Sequence, residues 1–242
     1  RYRTEEIVLK EIVLFLNGRE ITKEVTEEYA RMNKNLRFNT IARNMGVLRE
    51  FCKYLKIQGI DCYQIPGKIY PQNHKNYTPY IFSHQQIKNI YQNLELALKG
   101  YHYSYHQKLA YPLVIKLLYQ TGMRLGEVLS IQKQDYLIED GCFHLRNTKN
   151  NQERLVFLKE NLKQEMNFFV YKFNHQWEKS SLIFSVSSST IEKYFYKVLK
   201  LANIPRRENS PRVHDLRHTF VVHRIQEYVN EGKDVNVMLP IL

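Results

Sequence analysis

The stretch Thr121-Gly-Met-Arg-Leu-Gly-Glu-Val-Leu-Ser130 decides how the rest of the chain is read. Before it, Leu109, Leu113, Val114, Leu117 and Leu118 recur at helical spacing, forming a stripe that should face a core. Thr121 and Gly122 stop that helix, and a second apolar helix starts at once with Arg124 in its first turn. An arginine fixed at an elbow between two packed helices suits an anion. Its guanidinium matches a phosphate bidentately and stays charged at every physiological pH. Alone, the same arginine would serve equally as a surface solubiliser or a cap on helix carbonyls, so the flanking sequence has to decide.

Downstream the apolar period changes from 3.6 to 2. Residues 136–138, 142–146 and 153–158 read as short strands, joined by the hairpin signal Asp140-Gly141 and by a polar turn over 147–152 that carries Lys149. A helix follows over about 160–177. Ser189 and Glu192 have capping-box spacing and predict another over about 190–202. A basic loop, Pro205-Arg206-Arg207 to Pro211-Arg212, leads into His214-Asp-Leu-Arg-His-Thr-Phe220. The helix begun there runs to about Asn230, with Gly232 ending it.

Upstream, residues 1–65 read as helical throughout. Thr4-Glu-Glu opens one helix, Asn17-Gly18 closes it, and helices over about 23–32 and 39–57 follow. The third buries Ile41, Met45, Leu48, Phe51, Cys52 and Leu55 and shows Arg37, Arg43, Arg49, Lys53 and Lys56, a face that fits either solvent or a DNA backbone. Residues 66–79 hold Pro66, Pro71 and Pro79 with Lys68, His74 and Lys75, and read as a basic, extended linker. Ser83 then caps a helix over about 85–98. The expected architecture is mainly α with a small antiparallel β-meander: a helical domain over 1–65, a linker over 66–79 and a mixed α/β domain over 80–242.

Charge names the class of partner. In 242 residues, 36 lysines and arginines oppose 24 aspartates and glutamates, a net charge of +12, and the pI is near 9.5. That balance points to a polyanion. The longest apolar run, Ile12 to Leu16, is far too short to span a membrane, so nucleic acid is favoured over lipid. Cys52, Cys62 and Cys142 are odd in number and lack metal-ligand spacing, which favours a reducing interior over a disulfide framework. His102 and His106, at i and i+4, offer two metal ligands without a third. The first residue is Arg1, so the natural start is not assumed.

Taken together, Arg124 in Thr-Gly-Met-Arg-Leu-Gly-Glu, Lys149 in Thr-Lys-x-x-x-x-Arg, and His214 and Arg217 in His-Asp-Leu-Arg-His-Thr-Phe resemble the tyrosine recombinases of the phage-integrase type. Asn39-Thr-Ile-x-Arg43 through Leu48-Arg-x-Phe51-x-x-Tyr54 is similar to that family's core-binding, DNA-clamping domain, so the resemblance covers nearly the whole chain. It implies a site-specific recombinase or integrase of a mobile genetic element, located in the cytoplasm with the bacterial nucleoid. Such an enzyme cuts and rejoins DNA through a 3′-phosphotyrosyl intermediate, as a homo-tetramer on paired sites, without metal, cofactor or ATP.

Arg124 and Arg217 would stabilise the phosphate in the transition state, Lys149 would protonate the leaving 5′-oxygen, and His214 would bond a phosphate oxygen or take the nucleophile's proton. Glu127 and His218 match supporting positions. Arg37, Arg43, Arg49, Lys53, Lys68, Lys75, Arg206, Arg207 and Arg212 are the candidate DNA-backbone contacts. The family's nucleophilic tyrosine falls later than Leu242 in this pattern, so residues 1–242 alone are expected to bind DNA without cutting it. Tyr228 is the in-chain substitute to consider. Two alternatives stay open: a DNA-binding regulator of the same fold without catalysis, and a zinc hydrolase using His214 and His218. The second is poorer because Asp215 is shorter than the glutamate that chemistry needs and Arg217 would sit beside the metal.

Overall fold

Apolar residues three and four apart build the N-terminal helices, and glycine or asparagine in the left-handed region ends the first of them. The computed structural model describes residues 2–67, 78–100, 102–146, 153–176, 178–204 and 211–238. It divides the chain into two units, Arg1–Tyr77 and Thr78–Leu242. In the first, α1 (Tyr2–Leu16), α2 (Lys23–Met32) and α3 (Phe38–Ile57) enclose Val8, Ile12, Leu16, Ile21, Tyr29, Met45, Leu48, Cys52 and Ile65. Helix α1 begins two residues before the expected Thr4, and Asn17 (φ 43°) and Gly18 (φ 82°) turn the chain out of it. Thr22 caps α2 by accepting from the Val25 N–H. The extended tail of the unit returns to this core, with the Tyr63 N–H bonded to the Ile21 carbonyl at 2.8 Å.

The second unit is organised on α5 (Tyr105–Thr121). A one-sided stripe is the sequence expectation, but Ala110, Tyr111, Leu113, Val114, Ile115, Leu117 and Leu118 are all buried. The physical reason is that α5 is central. The helices α7 (Glu160–Phe173), α8 (Ser188–Leu201) and α9 (Asp215–Asn230) pack against different sides of it, so few of its positions meet water. Before α5, Ser83 and Gln86 form a reciprocal capping box for α4 (His84–Asn93). The helix expected to reach residue 98 stops at Asn93 and resumes as a single 3-10 turn, Leu96–Leu98. Helix α7 likewise ends at Phe173 with a 3-10 turn over Asn174–Gln176, and Trp177 lies outside the described residues.

The expected cap of α8 needs correcting. Ser187, not Ser189, has the extended backbone of an N-cap (φ −85°, ψ 151°) and accepts from the Thr190 N–H; Ser189 is already helical. The meander forms with slightly shorter strands than expected: β1 (Tyr136–Leu137), β2 (Cys142–Leu145) and β3 (Arg154–Phe157), antiparallel in the order β1-β2-β3. Gly141 (φ 64°) makes the first turn, its N–H bonded to the Leu137 carbonyl. The register pairs Phe143 with Val156 and Leu145 with Arg154. Phe143 and Leu145 are buried, so these pairs share the sheet's inner face, leaving Leu155 and Phe157 outside. A last short helix, α10 (Val235–Met238), follows the turn at Gly232 (φ 69°). Among the described residues no helix is long and apolar enough to cross a membrane, and Cys52, Cys62 and Cys142 are free thiols.

Candidate active site

Gly122 sits where α5 ends, in the left-handed conformation (φ 65°), with its N–H bonded to the Leu118 carbonyl at 3.1 Å. The chain then reverses into the five-residue helix α6 (Leu125–Leu129). Arg124 is not inside the first turn of α6, as the sequence reading has it, but is its extended N-cap (φ −73°, ψ 147°). The Arg124 backbone N–H donates to Glu127 Oε2 at 2.8 Å, and its guanidinium Nη1 donates to Glu127 Oε1 at 2.8 Å. One carboxylate therefore fixes both ends of Arg124. Its remaining guanidinium nitrogens have no protein partner among the described residues, and its side chain is 42% exposed.

Arg217, in the first turn of α9, reaches back to this elbow and donates Nη1 to the Gly122 carbonyl. A Cβ on Gly122 would lie 2.3 Å from a ring carbon of Phe220, also on α9, so the two helices meet at the glycine. That contact brings the two arginines together. Burial lowers the pKa of Arg217, Arg124 lowers it further, Glu127 opposes and Arg154 adds to the lowering. An arginine starts so far above neutrality that the guanidinium stays charged.

Arg154 is a member of this cluster that the sequence reading left out of the site. From β3 it donates Nη2 to Glu127 Oε2 at 2.8 Å and Nη1 to Glu127 Oε1 at 3.5 Å. Glu127 is 9% exposed in its side chain. Burial pushes its carboxyl pKa up, but hydrogen bonds from Arg154 and from the Arg124 N–H and guanidinium outweigh this and hold it below the usual range. Two guanidinium groups on one carboxylate, with Arg217 beside them on the Gly122 carbonyl, leave an excess of positive charge at a partly open surface. A signal was present in the sequence: Arg154 ends the Thr-Lys-x-x-x-x-Arg motif and falls on the alternation phase that β3 buries.

The histidine motif separates into site and scaffold. Asp215 is fully buried and accepts from the Arg212 N–H at 2.8 Å, closing the turn that enters α9. Thr219 is buried too; its hydroxyl donates to the Asp215 carbonyl at 2.8 Å and accepts from the Phe82 N–H at 3.1 Å. His214 precedes the helix and packs edge-on against His218, ring centres 4.8 Å apart. His214 is exposed, yet burial of part of its ring lowers its pKa below the usual 6.5, aided by His218 and Arg217 and opposed by Asp215. A neutral imidazole at pH 7 can accept a proton.

Acid stability follows from that direction. Because the folded state binds the His214 proton less readily than the unfolded chain, stability is full above about pH 6.5 and falls as pH drops below it. His223 has a lowered pKa for the same first reason, burial, with His84 stacked on it at 3.9 Å. Thermal melts between pH 7 and 5 should show a falling midpoint, and His214→Gln should reduce the fall without removing the part due to His223. An unchanged slope in that variant would contradict the shift at His214.

Of the other candidates, Arg212 is exposed beside this site. Lys149, Arg206, Arg207, Lys68 and Lys75 lie outside the described residues. In the first unit Arg37 is the exposed N-cap of α3, and Arg43 is exposed with Nη2 on Asn44 Oδ1 at 3.3 Å. Lys53 pairs with Glu50 at 2.8 Å. Arg49 donates to the carbonyls of Ile65 and Pro66, each at 3.1 Å, holding the unit's tail against α3. His106 faces the Ile183 carbonyl at 3.2 Å. Among the described residues no three His, Cys, Asp or Glu side chains gather as metal ligands. Tyr228 is buried on α9, with Arg224 and Lys233 against its ring. It lies eleven residues beyond Arg217, about 16 Å along the helix, too far to attack a phosphate held there.

The tyrosine recombinase XerA of Saccharolobus solfataricus is 30% identical to this chain over 118 residues, 49% of this chain and 38% of that protein. The tyrosine recombinase XerC of Staphylococcus saprophyticus is 24% identical over 220 residues, 87% of this chain and 68% of that protein. The chain thus spans well under half of the XerA relative and about two-thirds of the XerC one. In three dimensions the chain resembles the XerH recombinase bound to its difH substrate, with a TM-score of 0.62 at 20% identity, covering 90% of this chain and 63% of that one. The phage integrase family model matches residues 81–238, from the start of the second unit through α10 and across every described residue of the arginine and histidine cluster. The chain belongs to the phage integrase family, the tyrosine recombinases.

Proposed function

We propose that this chain is the phosphate-binding and DNA-clamping part of a site-specific recombinase that integrates a mobile genetic element through a 3′-phosphotyrosyl intermediate. The observation that carries the reading is the convergence of Arg124 and Arg217, from elements far apart in sequence, on the elbow at Gly122. Among the described residues each keeps guanidinium nitrogens without a protein partner, the arrangement needed to grip the non-bridging oxygens of one phosphate. A tyrosine oxygen attacks phosphorus, the bond to the 5′-oxygen breaks, and the charge that builds on the non-bridging oxygens is met by the two arginines. Lys149 gives the departing 5′-oxygen its proton. His214, neutral at pH 7, bonds a phosphate oxygen or receives the phenolic proton, with His218 against its ring. Reversal by a 5′-hydroxyl of a partner duplex rejoins the strands, and the phosphotyrosyl bond conserves the energy for it. Two sites are held by four copies. The helical segment 1–65 and the basic segment 66–79 clamp the duplex through Arg37, Arg43, Lys53, Lys68 and Lys75, with Arg206, Arg207 and Arg212 as further backbone contacts.

The test is covalent trapping. The protein, expressed to the natural end of its reading frame, is offered a nicked suicide duplex carrying its recombination site. A denaturation-resistant protein–DNA adduct on the 3′ side of the break is the expected result. Specific binding with no adduct would instead identify a DNA-binding regulator. Stoichiometric zinc lost on His214 and His218 substitution would overturn the mechanism, although two histidines fill only half of a tetrahedral zinc site.

A further inference from the structure

Arg154 makes no use of its charge in holding the sheet together; its guanidinium leaves the strand and is directed at the carboxylate that orients Arg124. Glu127 has two oxygens and serves four donors: the Arg124 N–H and Arg154 Nη2 on Oε2, and Arg124 Nη1 on Oε1 with Arg154 Nη1 more distantly. Without Arg154, this carboxylate would have only Arg124, a neighbour three residues away, to satisfy it. It would be free to rotate and to draw the Arg124 guanidinium down from the surface into a closer, two-pronged pair. With Arg154 occupying both carboxylate oxygens, Arg124 is held by a single prong and keeps its other nitrogens for an external anion. The cluster also keeps an excess of positive charge, felt at Arg217, whose pKa is lowered in part by Arg154.

We propose that Arg154 is a positioning residue for strand cleavage: by saturating Glu127 it holds Arg124 in its one-pronged, phosphate-ready pose. The inference rests on the reading of Arg124 as a phosphate ligand. It assigns to β3 a part in the reaction separate from the turn that precedes it, and accounts for a charged side chain on the sheet's inner face between Leu145 and Val156.

The experiment uses the full reading frame and the suicide duplex described above, with single-turnover adduct formation and DNA affinity measured separately. Removing a partner that orients a ligating side chain typically costs about 10- to 100-fold, and Arg154→Ala should slow cleavage by that order with little change in affinity. Arg154→Lys, which keeps the charge but cannot span both oxygens, should restore only part of the rate. The Arg124→Ala/Arg154→Ala pair should be no slower than Arg124→Ala alone, because the second residue acts through the first. On a duplex with an uncharged methylphosphonate at the scissile position, the defects of Arg124→Ala and Arg154→Ala should shrink together, which a fold defect would not produce. If Arg154→Ala melts below the assay temperature, Arg154→Gln carries the same comparisons.

Cleavage by the Arg154 variants at the parental rate, or additive losses in the double variant, would overturn the inference while leaving the functional reading intact. Failure of the parental protein to form any adduct would instead remove the reading beneath it.

Discussion

Alanine at Arg124 or at Arg217 in the full-length protein is expected to stop strand cleavage while leaving the DNA bound. Each arginine would meet charge that is greatest in the transition state, and loss of one such donor typically costs roughly 3–4 kcal/mol, or 10²- to 10³-fold in rate. Affinity should fall little by comparison. Many cations share the duplex, and each lost phosphate contact is expected to lower the slope of log affinity against log salt by about one. The two variants should differ in stability. Arg124→Ala leaves Glu127 paired with Arg154, so the fold should tolerate it. Arg217→Ala removes the donor to the Gly122 carbonyl, a lost bond worth about 1 kcal/mol, so its melting point should drop slightly. Lysine should rescue neither, because a point charge cannot reproduce a planar fork on two oxygens. The decisive measurement is adduct formation beside binding: an Arg124 or Arg217 variant that recombines at the parental rate would reduce the elbow to a well-capped helix junction.

What the sequence discloses about this site depends on how each residue acts. The meeting of Arg124 and Arg217 is legible because both sit in short motifs beside helix boundaries, and helix stops such as Gly122 have one dominant cause, a positive φ. The meander was legible from alternation and from Asp140-Gly141. The motif shows Arg154 but not its partner, since the bond to Glu127 joins β3 to α6, a tertiary fact that neither local pattern contains. The encirclement of α5 was hidden for a similar reason: Ala110, Tyr111 and Ile115 do not enlarge the leucine stripe as a reader counts it, and only the helices packed on its other sides bury them. The start of α8 was misplaced because Ser187, Ser188 and Ser189 are interchangeable as caps by composition, and the backbone angle decides among them. Arg49 shows the converse limit. Helical spacing puts it on a basic face, but its guanidinium closes the tail of its own unit.

Gly122→Ala tests the junction on which both arginines depend, and should be among the most damaging single-methyl additions in the second unit. Two separate penalties act. An alanine in the left-handed region costs about 1–2 kcal/mol. The new Cβ would also stand 2.3 and 2.7 Å from two carbons of the Phe220 ring, and overpacking of this kind typically costs about 1–3 kcal/mol. A sum near 3 kcal/mol corresponds to a melting-point loss of roughly 6–12 °C for a domain of this size. The loss should divide between its causes. Phe220→Leu in the Gly122→Ala background makes room for the methyl but leaves the backbone strain, so it should recover the packing part alone. Activity should fall further than stability at a temperature where the variant is folded, because relieving the clash pushes α9 from the elbow and takes Arg217 away from Arg124. A Gly122→Ala protein that melts within a degree of its parent, or that cleaves normally once folded, would show that the two helices adjust around the methyl and that the contact between Gly122 and Phe220 does not set the arginine pair.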